Sequence, residues 1–551
     1  MSVRRKRAFC VLLTGLICAF GLIAVSTADY LEKRPFLFSK SETVIGVMVM
    51  ENLDFLAGKE GLTCEQNPGV CCEGVLLPYD STGILYLAEG PETLKERTLY
   101  SSLKGYSLYT TDDPQWNYME KAIRENDTFS LWLVGEKDYY QFDLVISGMP
   151  VISIQTSFSR EQEEVDYETD PDKKFFGSET LYYGTVSLFN PGVNTERYEI
   201  LESYVCYHVK GASSANLEKK SYSFKLQNGK GENVNESLLG MRADNLWKLN
   251  ALYTDVNRVR EMTASKIWEQ FDAANGAVNE AGPRMEYVEL ILDNCYQGIY
   301  CLVEPVDEDK LELDRNDVLY KVIDWAVPDD EQIQVSIDKK WRIQSPIRLR
   351  YPETITDYSL AWFPMRDYLN VFYRGNGTEY EDMLSLVNLD NLADMLMFLQ
   401  TVSASDNSYK NTYYAAIVDT PGKYTMYQVP WDLDYTFGNQ YKYGVYNNCE
   451  FHPDYTISYG EKAIYALLER NRDEIMAYLK DRWTAYRESF LSTEYILDLL
   501  TENRDYLVDT GAVLREQERW PEAGVDMDIE YLLEYQSRRM EWLDTFFGIS
   551  P

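Results

Sequence analysis

The sequence predicts an α+β protein in which a β-rich first part is followed by a helical last part, after a separate apolar segment at the N-terminus. Short alternating runs rich in Val, Ile, Tyr and Phe dominate residues 40–305. From residue 380 on, apolar residues recur mainly at helical spacing. A chain of 551 residues is also too long for one hydrophobic core, and it is expected to form roughly two to four structural units.

Residues 1–28 have the composition of an export signal. A basic stretch, MSVRRKR, precedes an apolar stretch at residues 8–25 and a small-residue exit. Ser26 and Ala28 allow cleavage after Ala28, whereas the apolar stretch is also just long enough for an uncleaved membrane anchor. Both alternatives place the rest of the chain outside the cytoplasm, either secreted or anchored at the cell surface. Contact with a membrane is expected only through this segment.

Charge and histidine content exclude several classes of function. The net charge of -36 repels the phosphate backbone, so nucleic acid is not an expected partner, and a basic protein substrate fits better. With 45% hydrophobic and 14% aromatic residues, the chain is expected to be packed rather than disordered. Its two histidines, His208 and His452, lie in no pattern that would support a Ser-His-Asp triad or a zinc protease site.

Cysteines are compatible with an oxidising location. Disulfides are then permitted, and the pairs nearest in sequence are Cys64 with Cys71 or Cys72, and Cys295 with Cys301. Sequence alone leaves the pairing open.

The β-rich part is predicted in two sections, 29–150 and 151–305. The first section contains short strands and one helix near residues 116–126. In the second, the order is strand, strand, strand, helix, strand, strand, ending at a hinge at Glu304-Pro305. Asp255 is predicted to cap the helix of residues 256–271. The segments are 202–210, 220–227, 245–252, 256–271, 285–293 and 298–306.

The remaining section, 306–551, is predicted to be a helical lobe. Helices are expected at 389–404, 463–490 and 528–547. Between the first two, SDNSYKNTYYAAIVD and KYTMYQVPWDLDYTFGN predict loop, strand, turn, strand and loop. Asp406 and Asp432 are therefore expected at the same open end of one hairpin.

These two loops carry the residue types that phosphoryl transfer needs. The reaction requires a metal ion, a carboxylate near the attacking hydroxyl and a lysine on the phosphates. Asp406 precedes Asn411 by five residues, and Asp432 and Asp434 follow after the hairpin, which is the order found in protein kinases. The alternative is structural: these side chains would cap turns or hold a Ca²⁺ between loops.

Five segments in order resemble the CotH (spore coat protein H) kinase family over residues 150–450. They are GASSANLEKKSYSFKL, NLWKLNALYTDVNRVR, YVELILDNCYQGIYCLVEPVD, SASDNSYKNTYY and VPWDLDYTFG. The resemblance implies an atypical protein-kinase-like fold of two lobes, with a β-rich N-lobe and a helical C-lobe. It also implies ATP with Mg²⁺ or Mn²⁺ as cofactors and phosphorylation of serine in a protein, here expected to be basic and Ser-rich. Two alternatives are a catalytically inactive binding or adhesion protein with this fold, and transfer of AMP or an amino acid.

The resemblance also assigns roles to residues by position. Asp406 would be the catalytic carboxylate, and Lys410 would meet the γ-phosphate. The metal ligands would be Asn411, Asp432 and Asp434. For the nucleotide, the candidates are Lys220, Lys225 and Lys248, with Glu261 on the helix paired to one of these lysines.

Overall fold

The computed structural model describes residues 47–89, 98–112, 119–161, 180–193, 199–211, 214–275, 282–344, 346–375, 378–442, 445–447 and 462–548. All of these residues belong to one compact unit, Ile45–Pro551. The predicted signal or anchor of residues 1–28 lies outside the described residues. Within the described ranges, no helix is both long and apolar enough to cross a membrane.

Two sheets form the N-terminal region. The larger has the order β1-β8-β9-β10-β6-β5, with β2 added beside β10, and the smaller has the order β4-β3-β7. Leu85 and Leu87 of β6 and Leu131 and Leu133 of β9 are buried in one core beneath these sheets. The elements are β1 Met48–Val49, β2 Glu60–Leu62, β3 Val70–Cys72, β4 Val75–Leu76, β5 Tyr79–Asp80, β6 Ile84–Ala88, β7 Leu99–Ser101, β8 Ser107–Thr110, α1 Met119–Glu125, β9 Thr128–Val134 and β10 Asp138–Ser147.

The middle of the chain forms a seven-stranded sheet that closes on itself, called the closed sheet below. Its order is β11-β12-β13-β14-β15-β17-β16, and the parallel pairing of β16 with β11 completes the closure. Trp247 and Leu249 alternate with Lys248 along β15 and point into the buried interior. The elements are β11 Val151–Glu161, β12 Thr180–Asn190, β13 Glu199–Lys210, β14 Ser221–Gln227, β15 Leu246–Asn250, α2 Arg260–Asn275, β16 Met285–Leu292 and β17 Cys295–Val303.

The predicted order of strands and helix in this part is confirmed, but the predicted start of α2 is wrong. The helix begins at Arg260, because Arg258 has a left-handed backbone, φ 59°, that a helix cannot contain. Asp255 still satisfies the first turn from outside the helix, since its carboxylate accepts a hydrogen bond from the backbone N–H of Arg260 at 2.9 Å.

The part after residue 306 is less helical than predicted, because it contains a five-stranded sheet of order β19-β20-β18-β21-β22. The predicted hairpin is present as β21 and β22, with Thr412 opposite Pro430. A π-helical turn, Leu369–Tyr373, follows α4. The elements are β18 Val318–Val322, α3 Asp330–Lys339, β19 Ile343–Gln344, β20 Ile347–Tyr351, α4 Tyr358–Tyr368, α5 Tyr380–Ser385, α6 Leu389–Thr401, β21 Thr412–Thr420, β22 Lys423–Pro430, β23 Gln440–Lys442 and β24 Val445–Asn447.

Helices close the fold at the C-terminus. The predicted helix of residues 463–490 is divided at Asn471 into two helices. Aromatic rings join α2 to the helical part, with Trp268 5.1 Å from Phe398 and Phe271 4.9 Å from Phe490 between ring centroids. This contact fixes α2 against the elements that carry the acidic loops. The last helices are α7 Lys462–Arg470, α8 Arg472–Arg487, α9 Thr493–Asp509, α10 Ala512–Arg519 and α11 Glu530–Phe546.

Within the described ranges, neither Cys64 and Cys71 nor Cys295 and Cys301 are joined by a disulfide. Cys295 and Cys301 both lie on β17. Six residues of extended strand separate their Cα atoms by about 20 Å, which is too far for a disulfide. Cys64 instead lies with its Sγ 3.6 Å from the hydroxyl oxygen of Tyr79. The nearest pairs in sequence are therefore not bonded here.

Candidate functional site

Two loops meet at the open end of the β21–β22 hairpin. One connects α6 to β21 and carries Asp406 and Asn411; the other follows β22 and carries Asp432. Asn407 links them, because its Nδ2 donates hydrogen bonds to the carbonyl of Trp431 at 2.6 Å and to the carbonyl of Asn411 at 3.2 Å. Asn411 and Asp432 both have left-handed backbones, with φ of 54° and 61°. Both residues are thus held in conformations that non-glycine residues seldom adopt.

Asp406 is the centre of the first loop. Its Oδ2 accepts hydrogen bonds from Lys410 Nζ at 2.7 Å and from Asn411 Nδ2 at 3.0 Å. Burial raises the pKa of Asp406; Lys410 and the side chain of Trp325 act to lower it, while the charge of Asp432 acts to raise it. The net shift is upward. Burial alone would lower the pKa of Lys410, but the charge of Asp406 outweighs burial and the net shift is upward.

Asp434 is the most perturbed carboxylate of the second loop. Thr254 Oγ1 donates to its Oδ2 at 3.4 Å, while its Oδ1 is buried without a hydrogen-bond partner in the described part of the chain. Burial and then the charges of Asp432, Glu261 and Asp406 raise the pKa of Asp434 well above its usual range. Several carboxylates therefore crowd one small volume, where their mutual repulsion is costly.

Three lysines surround the ring of Trp431. Their Nζ atoms lie 4.1 Å (Lys248), 4.8 Å (Lys321) and 5.6 Å (Lys210) from its centroid. Burial, followed by the charges of Lys321 and Lys210, lowers the pKa of Lys248 well below its usual value. Burial also lowers the pKa of Lys321 to about 7, although Asp432 opposes this shift. Arg350 adds to the positive charge near both. This cluster is suited to binding a polyanion.

Glu261 connects to this cluster through Asn250. Asn250 Nδ2 donates to Glu261 Oε1 at 2.6 Å, and Lys210 Nζ donates to Asn250 Oδ1. Burial, then the charge of Asp432, raises the pKa of Glu261 to about 7, while Lys210 acts to lower it. The predicted contact between Glu261 and a lysine is therefore indirect, and the lysine is Lys210, which the sequence analysis did not select.

Of the three lysines predicted for the nucleotide, Lys248 is the one that lies over Trp431. Lys220 Nζ donates to the carbonyls of Ala215 and Leu217, so it closes its own preceding turn. Lys225 is an exposed residue on the outer face of β14, opposite Cys206. Neither ammonium group is therefore placed at the acidic loops. Side chains along a strand alternate between its two faces, so two lysines five positions apart do not point the same way.

Lys210, Lys321 and Asn250 were missed by sequence reasoning. Each lies on a strand, and the three strands β13, β18 and β15 belong to two different sheets. One signal was present: Lys321 is the single charged residue in the otherwise apolar and aromatic strand β18, VLYKV, where an ionised side chain needs a reason to remain.

A divalent cation fits the acidic loops. Asp434 Oδ1 is a buried acceptor without a hydrogen-bond partner in the described residues, and carboxylate and amide oxygens are the ligands that Mg²⁺ takes. Within the described ranges, no group of three His, Cys, Asp or Glu side chains is spaced to hold a metal ion. Mg²⁺ that binds together with phosphates usually takes one or two protein carboxylates. The residues that would hold it are Asp432, Asp434 and Asn411.

The model of the family described as CotH kinase protein matches residues 207–543. This chain belongs to the CotH kinase family. The match covers the closed sheet from the end of β13 onward, the five-stranded sheet and the helices through α11. It includes every residue of the site described above. A comparison with curated proteins finds no match.

Proposed function

We propose that this CotH family member is an extracytoplasmic protein kinase that transfers the γ-phosphoryl group of ATP to a serine of a secreted or surface protein. Membership of the family supports kinase activity in general. Serine as acceptor, a basic Ser-rich substrate and a position outside the cytoplasm are the finer parts of the proposal. Serine as acceptor rests on the resemblance to the family, the location on the predicted export signal, and a basic substrate on the net charge of -36.

The observation that carries the proposal is the presence of two neighbouring clusters of like charge at Trp431. Lysines from two sheets surround its ring, and Asp432, Glu261 and Asp406 act on the buried carboxylate of Asp434. Cations this close repel one another, and so do the carboxylates. A nucleotide triphosphate with its metal ion supplies the missing charge of both signs at once. No single charged ligand would relieve both clusters.

Each group then has a defined task. Lys248, Lys321 and Lys210 would hold the phosphate oxygens. A bound Mg²⁺ or Mn²⁺ supplies charge neutralisation for the phosphates, and Asp432, Asp434 and Asn411 would be its protein ligands. Asp406 would orient the acceptor hydroxyl and take its proton.

The net rise in the pKa of Asp406 makes it a better proton acceptor than an exposed aspartate. In the present arrangement Lys410 occupies its Oδ2 at 2.7 Å. Lys410 would have to turn toward the γ-phosphate, its predicted role, for the acceptor hydroxyl to take this position.

The test is transfer of labelled phosphate from ATP, with Mn²⁺ or Mg²⁺, to a basic Ser-rich protein by the 29–551 fragment. Asp406→Ala and Asp432→Ala are expected to abolish transfer, while the exposed Lys225→Met is the control. The proposal fails if the wild type transfers nothing or if both aspartate variants remain active. The intact mass of the product separates phosphoryl transfer from transfer of AMP or an amino acid, and nucleotide binding without any product would indicate an inactive binding protein.

A further inference from the structure

Trp325 is an exposed tryptophan beside the candidate catalytic carboxylate. It lies three residues after β18, and 43% of its surface is accessible to solvent. Its side chain acts to lower the pKa of Asp406, and the carbonyl of Val322, at the end of β18, accepts the backbone N–H of Asn411 at 3.0 Å. Trp325 therefore follows a strand end that is hydrogen-bonded to the catalytic loop.

The segment that carries Trp325 is exposed but fixed at both ends. Residues 324–327 are all exposed, and Val327 is accessible over 39% of its surface. At the first end, Ile323 N–H bonds to the carbonyl of Pro346 at 3.0 Å. At the other end, the carbonyl of Pro328 accepts from the guanidinium of Arg374. Because both ends are held, the apolar side chains stay in water instead of folding onto the core.

The ring of Trp325 offers an apolar surface for a further contact. Apart from its single polar group, the indole N–H, this ring is apolar. An acceptor hydroxyl must come within about 2.6–3.2 Å of its general base. Successive residues of an extended segment are about 3.3 Å apart, so residues one or two positions from the hydroxyl would pass over the indole.

Charge selects among the possible occupants of this surface. Asp324, Asp329 and Glu331 are exposed carboxylates on either side of Trp325 and Val327. They favour a partner with positive charge and disfavour a second copy of this acidic chain, whose net charge is -36.

We propose that Trp325 and Val327 form the acceptor platform of this enzyme, which binds an apolar side chain within two residues of the phosphorylated hydroxyl in an extended, basic segment of the substrate. The inference rests on the proposed kinase function. It assigns Trp325 a role in substrate specificity, separate from nucleotide binding, which belongs to the lysines around Trp431.

The test uses synthetic peptides of lysine and alanine that contain one serine, with either leucine or glycine on both sides of it. The full 29–551 fragment is assayed with ATP and Mn²⁺. We expect the wild type to favour the leucine peptide by about tenfold in kcat/KM, since one apolar contact is typically worth 10- to 200-fold. Trp325→Ala should lose this preference through a higher peptide KM while the KM for ATP is unchanged, and Trp325→Phe should keep most of it. Leu360→Ala, which removes another exposed apolar side chain (54% accessible) from α4, is the matched control.

The outcomes are distinguishable. Equal use of the two peptides by the wild type, or an unchanged preference in Trp325→Ala, overturns the platform but leaves the proposed kinase function intact. A change in sedimentation coefficient in Trp325→Ala, with the peptide preference retained, shows that the surface contacts a second copy and also overturns the platform. No phosphate transfer to any acceptor by the wild type overturns the proposed function and the platform together.

Discussion

Replacing Glu516 with glutamine is expected to destabilise the protein, and to do so most at acidic pH. Glu516 lies on α10, and both its side chain and that of Lys219, 2.7 Å away, are 0% exposed. The same carboxylate accepts from the guanidinium of Arg258 at 3.2 Å and from the backbone N–H of Ile299 at 2.8 Å. Glutamine keeps the shape and one acceptor oxygen but removes the charge that both cations face.

The magnitude follows from how each cation responds. Burial lowers the pKa of Lys219 from 10.5 to about 8, and the charge of Glu516 opposes this shift. Without that charge the pKa of Lys219 falls below 8, and Lys219 can release its proton in the folded variant. This limits its share of the lost stability at pH 7 to about 1.4 kcal/mol, the one unit between pH 7 and the wild-type pKa of about 8. Arg258 cannot release its proton, and losing a charged partner costs it about 1.5–3 kcal/mol. The free energy of unfolding should therefore fall by about 3–4 kcal/mol at pH 7.

The pH dependence has a defined sign. Since the folded-state pKa of Lys219 lies below the value of 10.5 for the unfolded chain, the unfolded chain binds more protons between pH 8 and 10.5, and the wild type gains stability as the pH rises through this window. In Glu516→Gln the pKa of Lys219 in the folded state is lower, so the pH range over which stability rises begins at a lower pH. The deficit of the variant therefore widens by about 1.4 kcal/mol per pH unit from pH 8 down to the pKa of Lys219 in the variant, and above pH 8 only the share of Arg258 remains.

Calorimetry at pH 6, 7 and 9 measures this deficit. An unfolding entropy of about 2.1 cal/mol/K per residue over roughly 500 residues of Ile45–Pro551 gives about 1 °C in Tm per kcal/mol. Glu516→Gln should thus lower Tm by about 3–4 °C at pH 7 and by less at pH 9. Glu518→Gln makes the same charge change at an exposed position of α10 and should have little effect. A deficit in Tm that is equal at pH 6 and pH 9 would refute the role of Lys219.

Three further predictions concern the nucleotide site, the closed sheet and the thiols. Lys248→Met and Lys321→Met should each raise the KM for ATP about 10- to 100-fold, because each removes one charge-assisted hydrogen bond to phosphate. Lys225→Met should leave this KM unchanged, and equal KM values in all three variants would argue against the lysine cluster. A 207–551 fragment lacks β11, β12 and the first eight of the 12 residues of β13, so circular dichroism should show no cooperative thermal transition. The 148–551 fragment retains all the strands of the closed sheet and serves as its comparison. Peptide mapping without reductant should find no Cys295–Cys301 link, and the Cys301 thiol, whose pKa burial raises well above its usual value, should be alkylated only after unfolding.

Much of the fold could be predicted from local pattern. The strands β13 to β17 and the helix α2 have the predicted order, because alternation and helical spacing are properties of neighbouring residues. The two acidic loops were also found, since the hairpin that joins them is local: Asp406 and Asp432 are separated by 26 positions but by only one β-hairpin. The start of α2 was wrong because the left-handed backbone of Arg258 leaves no signature in its residue type.

The positive side of the site could not be predicted in the same way. Lys210, Lys248 and Lys321 come from strands β13, β15 and β18, and their approach to Trp431 depends on how two sheets face each other. Sequence spacing along β14 pointed instead to Lys220 and Lys225. The spacing of charges within one strand gives the face on which they lie, but not what lies opposite that face.

The left-handed backbones of Asn411 and Asp432 mean that part of the stability of the site is given up to keep side chains at these positions. Glycine adopts this conformation without the steric cost that other residues carry, so Asp432→Gly should leave stability unchanged or raise it by up to about 1 kcal/mol. Asn411→Gly should not gain in this way, because it also removes the hydrogen bond from Asn411 to Asp406. Selection for stability alone would therefore favour removing the side chain of Asp432, and this carboxylate is expected to persist where the chemistry that it supports is in use.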